Sequence, residues 1–217
     1  MSTLRIEPSA KRVRVMLDGR YVADSSNPLL VWEKPSYPTY FFPRVDVDES
    51  VLDSERSYTP AGVGLDGHVA LRWRAFDHWF EEDEEVFVHA RDPYKRIDIL
   101  RSSRHVVVGL DGTVVADSKH PTLLFETSLP RRFYLPLTDV RMELLEPSTT
   151  RTQCPYKGEA KYWSIRIGEA LHADVLWSYP TPLQESLSIA GLVSFYDENL
   201  DVTVDGVVQV RPITQFS

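Results

Sequence analysis

Short runs in which every second residue is apolar dominate the chain, and turn residues interrupt them. Val13, Val15 and Leu17 occupy alternate positions before Asp18-Gly19, and apolar residues resume in residues 21–23. A period of two is typical of a β-strand with one buried face. An Asp-Gly pair between two such runs favours a hairpin, because both residues tolerate the positive φ angles of its turn. The pattern predicts a mainly β protein.

The same pattern occurs a second time. The block LDGRYVADSSNPLLVWE at 17–33 returns as LDGTVVADSKHPTLLFE at 110–126, an offset of 93 residues (110 − 17). The correspondence continues without a gap as far as Val47 and Val140. A repeat of this length predicts two similar lobes, each small enough to need packing against its neighbour. We expect a lead-in at 1–11, a first lobe at 12–100 and a second lobe at 101–217.

Past the repeated block the two copies stop agreeing. The second copy carries the polar and aromatic segment TQCPYKGEAKYW at 152–163, which has no counterpart in the first. Residues 182–191 are the best candidate for a short helix, because they end in a glycine. Residues 192–196 and 200–204 predict a closing hairpin around the turn at 197–199.

Composition and charge narrow the classes of function. The chain is 42% hydrophobic and 26% charged, as expected of a soluble globular protein. Its net charge of −8 argues against nucleic acid or a membrane surface as a partner, because both require clustered lysine and arginine. No apolar run approaches the ~18 residues that span a bilayer, and the N-terminus lacks the pattern of a signal peptide. We therefore expect a cytoplasmic protein, and its single cysteine excludes an intrachain disulfide.

The chain resembles a bacterial family known as domain of unknown function 427, in a tandem form. The resemblance rests first on features that occur in both copies: the DG pair, the VADS segment and the glutamate that ends each repeated block. In the second copy it also rests on YLPLTDV at 134–140, the segment 152–163, WSYP at 177–180 and IAGLVSFY at 189–196. It covers nearly the whole chain, although the first lobe departs from it after Val47. It implies a compact β fold of the tent-like kind and no established activity. Together with the pattern of the chain, this predicts two antiparallel β lobes of a tent-like or barrel-like form with one or two short helices.

The chain lacks the motifs of two properties that are associated with such proteins, nucleotidyltransferase activity and zinc binding. Some members of the family carry a nucleotidyltransferase label, but the sequence has no glycine-serine loop followed by spaced metal-binding aspartates. Tent-like relatives often hold zinc through paired Cys-x-x-Cys ligands, and one cysteine cannot form such a site. No histidine pair has metal-ligand spacing either. We therefore expect neither a metal nor another cofactor.

The segment 152–163 contains the most distinctive candidate residues. Lys157 follows Cys154 by three residues, and a nearby cation raises the thiolate fraction of a cysteine. Tyr156 and Tyr162 have side chains suited to a polar or anionic ligand, and Gly158 would let a ligand approach the backbone. The alternative is a structural turn shaped by Gly158, in which Cys154 packs as a small apolar side chain.

A second group of candidates surrounds the end of the repeated block, and comprises Glu126, Arg131, Arg132, Tyr134 and Asp139. Paired arginines beside an aromatic residue suit a carboxylate or phosphate, because a guanidinium donates two parallel hydrogen bonds. The alternative is that both arginines are exposed and that Tyr134 belongs to the core.

Further candidates lie in later and earlier strands. Trp177 and Tyr179 would form an aromatic wall of a pocket, or would pack in the core as alternating aromatic residues commonly do. His89, Arg91 and Asp92 are candidates for a contribution across the interface of the lobes.

These residues support three hypotheses. The first is a protein that binds a small polar or anionic molecule in a pocket of the second lobe or at the lobe interface. The second is an enzyme that uses Cys154 as a nucleophile, or Lys157 with Tyr156 or Asp139 in acid–base chemistry. The third is a protein-interaction scaffold. In each case the repeated block serves the fold, and we expect function where the copies diverge.

Overall fold

The chain forms two compact units, residues 1–93 and 94–217. A computed structural model describes residues 4–59 and 64–214 of the chain. Strands predominate and all of their pairings are antiparallel, so the predicted mainly β fold is confirmed. None of the sheets in the described ranges closes into a barrel. The helical segments of these ranges are short 3-10 helices at Arg44–Asp46, Glu49–Val51, Trp73–Ala75, Leu137–Asp139, Met142–Leu144 and Gln184–Ile189.

The first unit contains two antiparallel sheets. Its strands are β1 (Arg5–Pro8), β2 (Val13–Leu17), β3 (Arg20–Ser25), β4 (Leu29–Lys34), β5 (Tyr37–Pro43), β6 (Ser57–Tyr58), β7 (His68–Leu71), β8 (His78–Glu81) and β9 (Glu84–Glu85). One sheet has the order β1-β4-β5-β7-β6 and the other has the order β3-β2-β8-β9. Residues predicted as a lead-in thus include strand β1, which pairs with β4.

The second unit repeats this arrangement on a larger scale. Its strands are β10 (Ile97–Arg101), β11 (Val106–Leu110), β12 (Thr113–Ser118), β13 (Thr122–Glu126), β14 (Arg132–Pro136), β15 (Leu145–Cys154), β16 (Gly158–Ile167), β17 (Ala170–Ser178), β18 (Leu192–Phe195), β19 (Asp201–Val204) and β20 (Val207–Val208). The larger sheet has the order β10-β13-β14-β18-β17-β16-β15, and the smaller has the order β12-β11-β19-β20.

The repeated block folds locally as predicted. In both units an Asp-Gly pair joins two paired strands, β2 to β3 and β11 to β12. Asp18 and Gly19 have φ angles of 50° and 73°, and Asp111 and Gly112 have φ angles of 48° and 74°. Positive φ at both central residues is the geometry of a type I′ turn, which matches the twist of the flanking strands. The hairpin predictions are confirmed.

The units share one strand order, but the second has an insertion. Phe41 on β5 pairs with Ala70 on β7, and Tyr134 on β14 pairs with Ser194 on β18. The offset is 93 residues between Phe41 and Tyr134 and 124 residues between Ala70 and Ser194, so 31 additional residues (124 − 93) lie between these positions. Strands β15, β16 and β17 occupy this interval. The insertion widens the larger sheet and carries the segment 152–163.

The closing hairpin predicted for the second unit is wrong. Strand β18 pairs with β14 and β17 in the larger sheet, whereas β19 pairs with β11 and β20 in the smaller one. The chain crosses from one sheet to the other at residues 196–200. Leu200, fully buried, anchors this crossing in the core. The predicted short helix is present as the 3-10 helix Gln184–Ile189, before Gly191 with its φ of 72°.

Candidate functional site

The larger sheet of the second unit has two faces of different character. Leu135, Leu176 and Val193 point into an apolar core that also includes residues of the smaller sheet. Because side chains alternate along a strand, their neighbours Tyr134, Trp177 and Ser194 lie on the opposite face. We call this surface the polar–aromatic face; it comprises Glu126, Arg132, Tyr134, Cys154, Tyr162, Trp177, Tyr179, Ser194 and Tyr196.

Aromatic residues of this face form hydrogen-bonded pairs. Trp177 Nε1 donates to the hydroxyl of Tyr134 at 3.2 Å. The hydroxyl of Tyr162 lies 2.9 Å from Thr152 Oγ1 and 3.4 Å from the hydroxyl of Tyr196. Burial raises the pKa of Tyr134 and Tyr196 above the ordinary value of a tyrosine. Both hydroxyls therefore remain protonated at neutral pH and are able to donate hydrogen bonds.

The first unit has an apolar surface at the equivalent positions. Phe41 and Ala70 stand where the second unit has Tyr134 and Ser194, and both pack in an apolar cluster. Ser194 is fully buried, and its Oγ has no hydrogen-bond partner among the described residues. A buried hydroxyl without a partner costs free energy. The second unit thus carries polar groups that the shared fold does not require.

A charged cluster lies at the edge of the polar–aromatic face. Lys157 occupies the turn between β15 and β16, and its Nζ donates to Glu126 Oε2 at 2.5 Å. Lys95 Nζ lies 3.4 Å from Glu126 Oε1 and donates to the backbone oxygen of Thr127 at 2.8 Å. The side chains of Lys157, Glu126 and Lys95 are only 10%, 7% and 15% exposed. We call these three residues the lysine cluster.

The ammonium of Lys157 is held in its charged form. Burial lowers its pKa, but interactions with Cys154 and Glu126 raise it by more, so the pKa lies above its ordinary value. Lys157 therefore stays protonated at neutral pH. A protonated ammonium binds an anion but cannot accept a proton as a general base.

Arg132 pairs with a carboxylate of the chain itself. Its Nη1 and Nη2 donate to the two oxygens of Glu198 at 2.7 and 2.6 Å. The guanidinium also lies over the rings of Trp177 and Tyr196, at 5.5 and 5.8 Å from their centroids. Burial raises the pKa of Glu198, but hydrogen bonds from Arg132 and Thr214 lower it by more, and its net pKa is below the ordinary value. The forked hydrogen bonding expected of this arginine is thus directed at Glu198.

Three predicted residues lie away from the polar–aromatic face. Asp139 accepts a hydrogen bond from Ser118 Oγ at 2.6 Å, next to the bridge between Ala116 and Val140. Tyr156 is buried in the turn before β16, where its backbone oxygen accepts from the hydroxyl of a serine in the 3-10 helix 184–189. Arg131 lines a separate cleft.

The candidates predicted in the first lobe make contacts within the first unit. The ring of His89 stacks on Tyr37 with centroids 3.9 Å apart. The backbone N–H of Arg91 donates to Glu81, and Asp92 accepts from Trp32 Nε1 at 3.1 Å. In the described ranges no group of three or more histidine, cysteine, aspartate or glutamate residues has a geometry suited to a metal ion. No helix in these ranges is long and apolar enough to cross a membrane.

The backbone at Gly158 is approached closely by the chain itself. Gly158 has a φ of 91°, and a Cβ atom there would lie 3.3 Å from the carbonyl oxygen of Thr181. Glycine is therefore required both for its conformation and for the space. The sequence hypothesis assigned that space to a ligand, whereas the segment after β17 occupies it.

Replacing Gly158 with alanine is expected to lower the free energy of unfolding by about 1–3 kcal/mol. The control is Gly168→Ala, because Gly168 has a φ of 59° but nothing within 4 Å of its Cβ position. Urea denaturation of both variants measures the two costs. Equal costs would show that the contact with Thr181 contributes nothing beyond the φ angle.

Several residues of the site were not identified from the sequence. Lys95 lies in a segment assigned to the first lobe, yet it contacts Glu126 in the second unit. Ser194 and Glu198 lie 60 and 66 residues after Tyr134 and Arg132, their respective partners in the sheet and in the ion pair. Sequence alternation gives the face of a residue within its own strand, but it does not give which strands are neighbours.

The chain was compared with the sequence models of known protein families. Residues 5–62 and 98–206 match the family described as Domain of unknown function (DUF427). The match includes the polar–aromatic face and Cys154 and Lys157, while Lys95 lies just before its second segment. No curated protein matches the chain. Because the matched segments cover more than half of its residues, the chain belongs to the family described as Domain of unknown function (DUF427).

Proposed function

We propose that the second unit binds a small anionic molecule at the lysine cluster. This proposal rests on one observation: the nearly buried lysine cluster has more positive than negative charges. Two ammonium groups, those of Lys157 and Lys95, share the single carboxylate of Glu126. The cluster therefore has a formal charge of +1, with no second carboxylate in ion-pair contact among the described residues.

An uncompensated buried charge is costly, because desolvation removes the water that would stabilise it. The lysine side chains are at most 15% exposed, so solvent screens them only weakly. An anion that contacts Lys157 or Lys95 would neutralise the cluster. The lysine cluster differs in this respect from the ion pair of Arg132 and Glu198, in which one positive charge faces one negative charge.

The neighbouring residues suit an organic anion. Tyr134 and Tyr179 lie close enough to Glu126 for its charge to raise their pKa, and burial keeps both hydroxyls protonated. The rings of these two tyrosines belong to one cluster on this face and would provide apolar walls. A carboxylate or phosphate on a small organic body fits this combination.

An enzyme with Cys154 as nucleophile is less favoured by the contacts. A cysteine nucleophile commonly requires a neighbouring histidine. In the second unit the described ring contacts of His105 and His172 are with Asp117 and Asp111. The raised pKa of Lys157 also favours binding over proton abstraction by this residue.

Thermal unfolding in the presence of small anions tests the proposal. Inorganic phosphate, succinate and citrate are compared with sodium chloride at matched ionic strength. An anion present at 100 times its Kd stabilises the folded protein by about 2.7 kcal/mol. We therefore expect at least one of these anions to raise the Tm of the wild-type protein. Lys157→Gln should abolish this rise, whereas Lys161→Gln, which removes an exposed lysine of β16, should keep it.

Two results would contradict the proposal. One is that no anion in a broader library of carboxylates and phosphates raises the Tm beyond the chloride control. The other is an equal rise in the wild type and in Lys157→Gln, provided that circular dichroism shows the variant to be folded. That second result would place the binding elsewhere in the molecule.

A further inference from the structure

A polar cleft of the second unit lies apart from the lysine cluster. It is a cleft of about 50 Å³ between the start of β14, the crossing after β18 and the segment after β20. A single water requires about 10–15 Å³ measured in the same way, so the cleft has room for about four water positions. The lining residues are Pro130, Arg131, Asp197, Leu200, Val202, Gln209, Val210 and Pro212.

Two oppositely charged side chains, those of Arg131 and Asp197, line the cleft. Arg131 donates from Nη2 to Gln209 Oε1 at 2.5 Å, but its buried Nε–H has no partner among the described residues. The carboxyl group of Asp197 accepts a hydrogen bond from its own backbone N–H. Leu200 and Val202 are buried and provide apolar walls. A cationic and an anionic side chain in such surroundings favour a ligand that carries both charges.

The groups around Asp197 shift its pKa in opposite directions. Burial raises the pKa of Asp197 to about 6, and the charge of Glu198 contributes in the same direction. Arg132 and Arg131 lower the pKa, but by less than burial raises it. Arg132 is already committed to Glu198 by two hydrogen bonds. A cation that reached Asp197 would stabilise its ionised form.

We infer that this cleft binds a small zwitterion of the α-amino acid class, with its carboxylate on Arg131 and its ammonium on Asp197. The guanidinium of Arg131 attracts the carboxylate, and the ammonium donates to the carboxyl oxygens of Asp197. Neither an anion nor a cation alone satisfies both groups. The two prolines and the valines of the wall leave space for a small side chain rather than a large one.

Isothermal titration and chemical-shift mapping with glycine as the probe test this inference. Acetate and methylammonium, which each carry one half of glycine, are the comparison probes. We expect glycine to bind at least tenfold more tightly than either. Arg131→Gln and Asp197→Asn should each weaken glycine binding by at least tenfold, whereas Arg141→Gln, which removes an exposed arginine paired with Glu143, should not change it.

The pH dependence provides a second readout. Glycine stays zwitterionic between pH 7.5 and pH 5, whereas Asp197 gains a proton in this interval. Glycine binding should therefore weaken about tenfold from pH 7.5 to pH 5. Absence of glycine binding, equal affinities for the three probes, or unchanged affinity in the folded Asp197→Asn variant would each overturn the inference. These outcomes do not depend on phosphate or citrate binding at the lysine cluster.

Discussion

Replacing Arg132 with methionine is expected to lower the free energy of unfolding of the second unit by about 3–5 kcal/mol. The side chain of Glu198 is fully buried, and both of its oxygens accept from the arginine. Methionine keeps much of the apolar volume of the arginine but leaves a buried carboxylate without its counter-charge. Urea denaturation at pH 7, followed by tryptophan fluorescence, measures the loss.

The control is the same substitution at an exposed pair. Arg166 also forms two hydrogen bonds with a carboxylate, that of Glu146, but the side chains are 43% and 44% exposed. Arg166→Met should cost much less than Arg132→Met, because solvent screens an exposed ion pair. A double variant, Arg132→Met with Glu198→Met, should recover most of the loss, because it removes the buried charge altogether. Similar costs for the two single variants would contradict the assigned role of burial.

The cost of Arg132→Met should also depend on pH. The pKa of Glu198 is lowered in the folded protein, so its contribution to stability is present above the unfolded pKa of about 4.3 and is lost as the pH falls through the folded value. In the variant the buried carboxyl takes up a proton more readily, because its counter-charge is gone. The difference between wild type and variant should therefore be smaller at pH 4 than at pH 7.

Replacing Glu126 with glutamine is expected to lower the free energy of unfolding by about 3–5 kcal/mol. This substitution removes the one carboxylate between Lys157 and Lys95 and leaves two nearly buried ammonium groups without a counter-charge. The size of the side chain is almost unchanged, so the loss reports the charge. Thermal and urea denaturation at neutral pH measure it.

If the lysine cluster accepts anions, the Glu126→Gln variant should be stabilised by them more strongly than the wild type. Acetate or formate at tens of millimolar replaces the missing carboxylate and should raise the Tm of the variant beyond the chloride control. Glu159→Gln is the matched control, because Glu159 lies exposed on β16. A Glu126→Gln variant as stable as the wild type would show that the cluster is already screened by solvent, and would remove the electrostatic basis of the proposed function.

The elements that the sequence predicted correctly are those set by neighbouring residues. The hairpins at Asp18-Gly19 and Asp111-Gly112 form because the turn residues and the strands that they join lie within a few positions of one another. Side-chain alternation also predicts which residues of one strand share a face, as Arg132 and Tyr134 do. The 3-10 helix 184–189 lies where a short helix was predicted, before its glycine.

The predictions that went wrong or remained incomplete concern distant segments. Strands β18 and β19 follow one another along the chain around the turn residues 197–199, so a hairpin was predicted, but they belong to different sheets. The equivalence of Ala70 and Ser194 is hidden by the 31 inserted residues and emerges only from their strand partners. Arg131 and Arg132 are neighbours in the chain, yet one lines the cleft and the other pairs with Glu198.

The sequence by itself determined that the chain is a tandem β protein and that the second copy differs from the first in the segment 152–163. These properties depend on local alternation, turn residues and internal comparison, all of which are visible in one chain. Only the tertiary structure decided that Lys95 joins Lys157 at Glu126, and that a buried serine faces the aromatic residues. The physical reason is that strand order and register arise from packing between segments tens of residues apart, which no local pattern records.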